Sequence, residues 1–190
     1  GVDARYLMAV GLSTLAAGNY WMSRLNLSVG PWQVVWPRVV VIAGLSMVFA
    51  PLNVAAFLYI PKELRGAAVG LLALLRNEGG SVGTSMAQTV LERREQFHAL
   101  RLNEGLTALN PAIHQFLAQG QAVFLRHTGD APLSQHMAVQ ALENLRNQQA
   151  LSLAYFDVFW LSAALAVPLV LLVLLMRRSV AEKGSPIGAE

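Results

Sequence analysis

Residues 152–176, SLAYFDVFWLSAALAVPLVLLVLLM, form the most lipid-like run of this 190-residue chain. Crossing a hydrocarbon core of about 30 Å takes about 20 mainly apolar residues in a helix, and this run is long enough. Lipid offers no hydrogen-bond partner to backbone N–H and C=O groups, so a single span has to be helical. We therefore expect a membrane-spanning helix over about 151–178.

Three earlier stretches are also long and apolar enough to cross a membrane, at about 6–23, 36–60 and 67–91. The alternation of apolar and polar residues that barrel strands show is missing. The sequence thus predicts an all-α membrane protein with four transmembrane helices. Three of them lie in 1–91, an outer loop follows over 92–150, the last transmembrane helix covers 151–178, and 179–190 form a tail.

The composition excludes several classes of protein. Hydrophobic residues make up 55% of the chain and charged residues 13%, about half the charged fraction of an average soluble domain. Lys and Arg exceed Asp and Glu only by 14 to 11, which argues against a nucleic-acid partner. There is no cysteine, the four histidines lack metal-ligand spacing, and no phosphate-binding loop or nucleophile elbow occurs. We expect neither an enzyme nor a metal site.

Basic residues predict the orientation of the spans. An even number of spans puts both termini on one side of the membrane. With the termini in the cytoplasm, most basic residues outside the long loop lie on the inner side, and Arg24 alone lies in the first outer loop. The inner basic residues are Arg5, Lys62, Arg65, Arg177, Arg178 and Lys183. This distribution satisfies the positive-inside rule, so we expect both ends in the cytoplasm and the long loop outside.

The outer loop has helical patterning. Asn110 before Pro111 is typical of a helix start, and an apolar stripe continues to about Arg126. The turn residues HTGDAP then interrupt the helix. Ser134 can cap a second helix, which we expect to continue into the last span.

Three polar residues lie in the middle of the third predicted span, which reads RNEGGSVGTS over 76–85. Arg76, Asn77 and Glu78 are at least about 15 Å from either end, near the midplane. Ionisable groups there cost at least about 2.5–3.5 kcal/mol each, so they are candidates for a substrate path. The alternative is structural, with Arg76 hydrogen-bonded to a neighbouring helix.

Small residues recur on one face of the same span, and Gly79 and Gly83 form a GxxxG pair besides. The residues of that face are Gly66, Gly70, Ala73, Asn77, Gly80, Thr84 and Ala87. Small side chains let membrane helices approach closely. Asn77 lies on this face, which favours an interhelical hydrogen bond for it. We therefore expect this face to pack against other helices.

The other spans hold fewer polar candidates. In the second span, Pro51 predicts a kink near Asn53, and Arg38 lies at the outer end, where it can extend to the interface. In the last span, Asp157 follows Tyr155 near the outer end. Asp157 is either a titrating group of a proton pathway or a hydrogen-bond acceptor for a neighbouring helix.

Four motifs occur in a fixed order. They are DARxLxxxGL from Asp3, RxxxxxG with APLN from Arg38 to Asn53, PxxxRGxAxGLxxLxRNEGGSxG over 61–83, and YxDxF from Tyr155. Over nearly the whole chain, this order resembles the carboxy-terminal part of the fourteen-span EmrB/QacA-type drug:proton antiporters of the major facilitator superfamily. The match covers the last four spans and the long outer loop before the final one.

The resemblance implies a function for the intact transporter. It implies proton-driven export of small amphipathic toxic drugs across the bacterial inner membrane, with the proton gradient as energy source and no cofactor. The implied partners are the remaining spans, a periplasmic membrane-fusion adaptor and an outer-membrane channel. Arg76, Gly79, Gly80 and Gly83 match the motif of the penultimate span. A different class of function, a four-span scaffold or assembly protein that binds a partner through its outer loop, stays open.

Overall fold

The computed structural model describes residues 3–28, 30–57, 60–107 and 110–175. Over these residues the chain is helical and contains no β-strand. The helices are α1 (Ala4–Ser23), α2 (Pro31–Phe57), α3 (Arg65–Gly105), α4 (Pro111–Thr128) and α5 (Ala131–Leu175), with a short 3-10 turn at Lys62–Leu64 before α3. The prediction of an all-α fold is confirmed for this part of the chain. The predicted tail, 179–190, lies outside the described residues.

Two of the described helices are long and apolar enough to cross a membrane by length and composition, residues 31–53 of α2 and helix α5. Helices α1 and α3 fall below that level. Small and polar residues lower the mean hydropathy of α1, and the segment around Arg76 and Glu78 lowers that of α3. These two helices support the prediction of a helical membrane protein.

Two helices are longer than the predicted spans. Helix α3 continues beyond the expected end near Leu91 to Gly105, and α5 begins at Ala131 and runs without interruption into the apolar stretch. Residues 92–104 contain no glycine or proline, and the arginine, glutamate and glutamine among them have high helix propensity. The segment predicted as the outer loop therefore begins within α3 rather than after it.

The helix ends follow local capping chemistry. The side chain of Asn110 accepts a hydrogen bond from the backbone N–H of Ala112, as the Asn-Pro pair predicts. Gly129 ends α4 with a φ of +70°, a conformation that costs glycine no steric energy. The prediction that Ser134 caps α5 is wrong. The Asp130 side chain accepts from the N–H of Leu133, and Ser134 is a buried residue inside α5 whose hydroxyl donates to the Asp130 carbonyl.

The chain forms two compact units, and α3 and α5 each contribute to both. Of the described residues, one unit contains those of 3–86 and 158–175. In it α1 and α2 pack antiparallel with their backbones in contact. A Cβ atom placed on Gly44 would lie 2.6 Å from the Leu15 nitrogen and 2.7 Å from the Gly11 oxygen, and one placed on Gly18 would lie 2.7 Å from Val41 Cγ2. Only glycine permits so close an approach at these positions.

The second unit contains 87–157 and is a small three-helix bundle. The end of α3, helix α4 and the first part of α5 form it. Helices α4 and α5 pack closely where a Cβ on Gly120 would lie 3.3 Å from Ala138 Cβ. Ala150 and Ala154 of α5 are fully buried.

Candidate functional site

Arg76 has a partner on a neighbouring helix. Its guanidinium carbon lies 4.3 Å from the ring centroid of Phe49 on α2, within the range of a cation–π interaction. The side chain is otherwise exposed. The ring therefore gives the charge of Arg76 a favourable contact without neutralising it.

Phe49 also lies one helical turn before Asn53, a polar candidate of the same helix. The side-chain amide of Asn53 donates to the Phe49 carbonyl oxygen over 2.9 Å. Pro51, between them in the sequence, is buried, and α2 stays helical through it. Phe49 thus contacts Arg76 of α3 through its ring and Asn53 of its own helix through its backbone carbonyl.

Asn77 and Glu78 are exposed on α3. Within the part of the chain that the structure describes, no carboxylate–cation pair within 4.0 Å includes Glu78. The exposed Glu78 carboxylate lies two residues after Arg76 on α3. Arg38 is likewise exposed, on α2.

The small-residue face of α3 is open. A Cβ atom on Gly66, Gly70 or Gly80 of this face would meet no described heavy atom within 4 Å, and the same holds for the Gly79/Gly83 pair. Gly44 and Gly18 differ from them, because a Cβ atom at either position would clash with the neighbouring helix. The small residues of α3 predict a close helix contact, and the described residues do not make it. Helices α1 and α2 make a close contact of this kind, which the sequence analysis did not predict.

A polar cluster lies in the 87–157 unit. The Asp157 Oδ2 atom accepts a hydrogen bond from Arg94 Nε at 2.6 Å, and His98 Nε2 lies 2.6 Å from the same oxygen. The three side chains are 33%, 41% and 17% exposed, in the order Asp157, Arg94 and His98. Asp157 is thus a hydrogen-bond acceptor for α3, at the end of the unit. Tyr155, two residues earlier, is exposed on α5.

The sequence analysis did not identify Arg94 and His98 as partners of Asp157. A signal for the pair was present, because residues four apart share one face of a helix. The neighbouring sequence does not show which acceptor binds to that face, because Asp157 is about sixty residues away in the sequence. The described residues contain no group of three or more potential metal ligands.

Membrane transporters combine apolar helices with charged side chains inside the membrane. This chain has the apolar helices α2 and α5 and, between them in the sequence, α3 with Arg76 and Glu78. Comparison with known proteins gives a narrower result. The chain is 26% identical to the fatty acid resistance protein FarB of Neisseria gonorrhoeae over 176 residues, 93% of this chain and 33% of that protein. It is 27% identical to the multidrug export protein EmrB of Escherichia coli K12 over 173 residues, 90% of this chain and 32% of that protein.

A third relative, the multidrug export protein EmrB of Haemophilus influenzae, is 28% identical over 163 residues, 85% of this chain and 30% of that protein. No family model matches the chain. No solved structure matches it at the level of statistical significance that these relatives reach. The chain is thus related to the EmrB-type multidrug transporters, which confirms the resemblance carried by its motifs. It spans about a third of the length of these curated relatives.

Proposed function

We propose that this chain is part of a proton-driven multidrug transporter that exports small amphipathic toxic compounds across the bacterial inner membrane. The proposal is supported by similarity over most of the chain to proteins named for export and resistance. It is also supported by the apolar helices α2 and α5. The names of these relatives describe resistance or export rather than catalysis.

We further propose four spans, with α1 and the first part of α3 crossing the membrane beside α2 and α5. At 20 residues and 1.5 Å per residue, α1 has the length of about 30 Å that a hydrocarbon core requires. Its glycine contact with α2 is typical of membrane helix packing. Both ends then lie in the cytoplasm, and the loop over 92–150 lies in the periplasm, where an adaptor and, through it, an outer-membrane channel have access to it.

The contact of Arg76 with Phe49 carries the proposal for the transport path. An arginine within a span is costly in lipid, so it is retained for a structural or functional reason. Within the described part of the chain, its positive charge is stacked on a ring and is not paired with a carboxylate. It can therefore attract or orient an anionic or polarisable group of a substrate, and it can also hold α2 against α3.

The open face of α3 supports a partner outside this chain. The glycines of that face leave room for a helix backbone, and membrane helices associate through such faces. We propose that the remaining spans of the parent transporter occupy it. Alternating access requires two halves around a midplane site, so these spans are necessary for transport.

The experiment is Arg76→Gln in the intact transporter. We expect loss of drug resistance at a normal level of inserted protein. Arg101→Gln is a matched control, because Arg101 also lies over a phenylalanine, Phe97, at 5.5 Å, but in the 87–157 unit. Full resistance in a well-inserted Arg76→Gln variant contradicts a transport role for Arg76.

A scaffold or assembly function is the second candidate, and the compactness of the 87–157 unit favours it. This function predicts that the chain expressed alone is stable in the membrane and retains a specific partner through 92–149. Rapid degradation of the chain expressed alone argues against it. Export predicts instead that the chain is inactive without the remaining spans.

A further inference from the structure

An apolar cleft in the 87–157 unit is not lined by any residue of the proposed transport path. It lies between the end of α3, the start of α4 and the first part of α5, and its volume is about 240 Å³. The large apolar residues that line it are Leu102, Leu106, Ile113, Phe116, Leu142 and Leu145. Drug-sized sites usually have about 300–1,000 Å³, so this cleft is suited to an alkyl chain rather than to a polycyclic drug.

Among the described residues that line the cleft, Arg146 alone is charged. Its Nη1 donates to Asn103 Oδ1 at 2.7 Å, and its Nε and Nη2 donate to Asn147 Oδ1 at 3.1 and 2.9 Å. These amide oxygens are neutral, so they fix the guanidinium in place without cancelling its charge. No carboxylate of the described residues lies within salt-bridge distance of Arg146.

The remaining hydrogen-bonding capacity of Arg146 defines the chemistry of a ligand. A guanidinium has five N–H donors and no acceptor, and the amide contacts leave donors unused. Arginine binds carboxylates more strongly than it binds neutral groups. Gln149, on the same helix, also lines the cleft and adds an uncharged polar group near Arg146.

We propose that this cleft binds single-chain carboxylate amphiphiles, with the alkyl chain among the leucines and the carboxylate on Arg146. The cleft combines an apolar groove of limited volume with one fixed, uncompensated cation. An anionic amphiphile complements both features, whereas a cationic one places like charges together. This site goes beyond the proposed function, because it lies outside the residues proposed for transport.

The test is photo-crosslinking of the intact protein in nanodiscs of zwitterionic lipid. The probe is decanoate with a diazirine near its methyl end, and labelled peptides are mapped by mass spectrometry. We expect labelling within 102–116 and 142–149. Arg146→Gln should reduce it about tenfold, whereas Arg101→Gln, which changes an arginine of α3 outside the cleft, should label like the wild type.

Two further measurements separate this site from general lipid contact. Decanol with the same diazirine should label weakly and independently of Arg146, because it lacks the carboxylate. Leu142→Trp should abolish decanoate labelling by filling the cleft while Arg146 is retained, with circular dichroism confirming the helical content. Equal labelling by decanol, or undiminished labelling of Arg146→Gln, overturns the proposal.

The export proposal and this one fail in different ways. An Arg76 variant should lose resistance and still bind decanoate. Labelling measures binding alone, so a protein that exports drugs but leaves the cleft unlabelled refutes only the cleft proposal. Labelling that requires Arg146 in a protein without export activity supports the cleft and contradicts the transport role.

Discussion

The carboxylate of Asp157 on α5 lies 2.6 Å from Nε of Arg94 on α3, and the two residues are separated by 63 positions in the chain. His98, one helical turn after Arg94, lies at the same distance from the same oxygen. These contacts join two long helices where the 87–157 unit ends. Because the carboxylate is 33% exposed, water weakens the attraction, and we expect a modest net stabilisation.

We predict that Asp157→Asn lowers the free energy of unfolding of the 87–157 unit by about 1 kcal/mol, because Arg94 and His98 lose a charged acceptor. Local hydrogen exchange of the α3 amides near Arg94 measures this change. Glu143→Gln, an exposed carboxylate elsewhere on α5, is the control and should have no effect. A double-mutant cycle with Arg94→Gln should show coupling, and additive effects contradict the contact.

We predict that Gly44→Ala destabilises the packing of α1 on α2 by about 1–3 kcal/mol, the usual cost of overpacking. The added methyl group meets the backbone of Leu15 and Gly11, which cannot move like the end of a side chain. Thermal unfolding of the purified protein measures the loss. An unchanged unfolding temperature means that α1 and α2 are farther apart than described.

We predict opposite behaviour for Gly80→Leu in the chain alone and in the intact transporter. In the chain alone the position is open, so the substitution should leave stability unchanged or slightly raised. In the intact transporter the added side chain should prevent another span from packing on α3 and reduce resistance. Full resistance with normal insertion shows that no helix packs there.

We predict that Phe49→Leu weakens the function of Arg76, because leucine keeps apolar bulk but has no ring face for the guanidinium. Phe49→Tyr retains the ring and should behave like the wild type. At an interaction of about 0.5–2 kcal/mol, we expect a partial loss of resistance. Drug-susceptibility assays at matched protein levels measure the resistance that the two variants confer. Equal resistance of Phe49→Leu and Phe49→Tyr counts against the interaction.

We predict that Gly129→Ala destabilises the link between α4 and α5 by about 1 kcal/mol, because its φ of +70° disfavours a side chain. Gly105→Ala is a matched control. It also has open space for a methyl group, at the end of α3, but its φ is not positive. Circular dichroism on heating compares the two, and equal unfolding temperatures contradict the role of backbone conformation.

Several features were predictable because they depend on residues close in sequence. The Asn110-Pro111 pair specifies the start of α4, and the apolar run that begins near Ser152 specifies a helix suited to lipid. The end of α3 was less predictable. The sequence there becomes polar without becoming non-helical, so a boundary based on hydrophobicity fell near Leu91, about four turns too early.

The candidate site was predictable only in part. The polar segment at Arg76 was recognisable because charged residues are rare among apolar ones, but its contact with Phe49 was not. The wrong cap for α5 has a local cause, since both Asp130 and Ser134 are good capping residues and the chain enters the helix at the first of them.

The sequence by itself determined the helical class, the apolar helices, the capping of α4 and the relation to the EmrB-type transporters. Each of these follows from composition, periodicity or motif order along the chain. The tertiary structure alone decided that Asp157 meets Arg94 and His98, that Arg76 stacks on Phe49, and that Gly11, Gly18 and Gly44 make the close helix contact while the glycines of α3 stay open. The physical reason is that a contact depends on the rotation and position of two helices relative to each other, and residues far apart in the chain set these together.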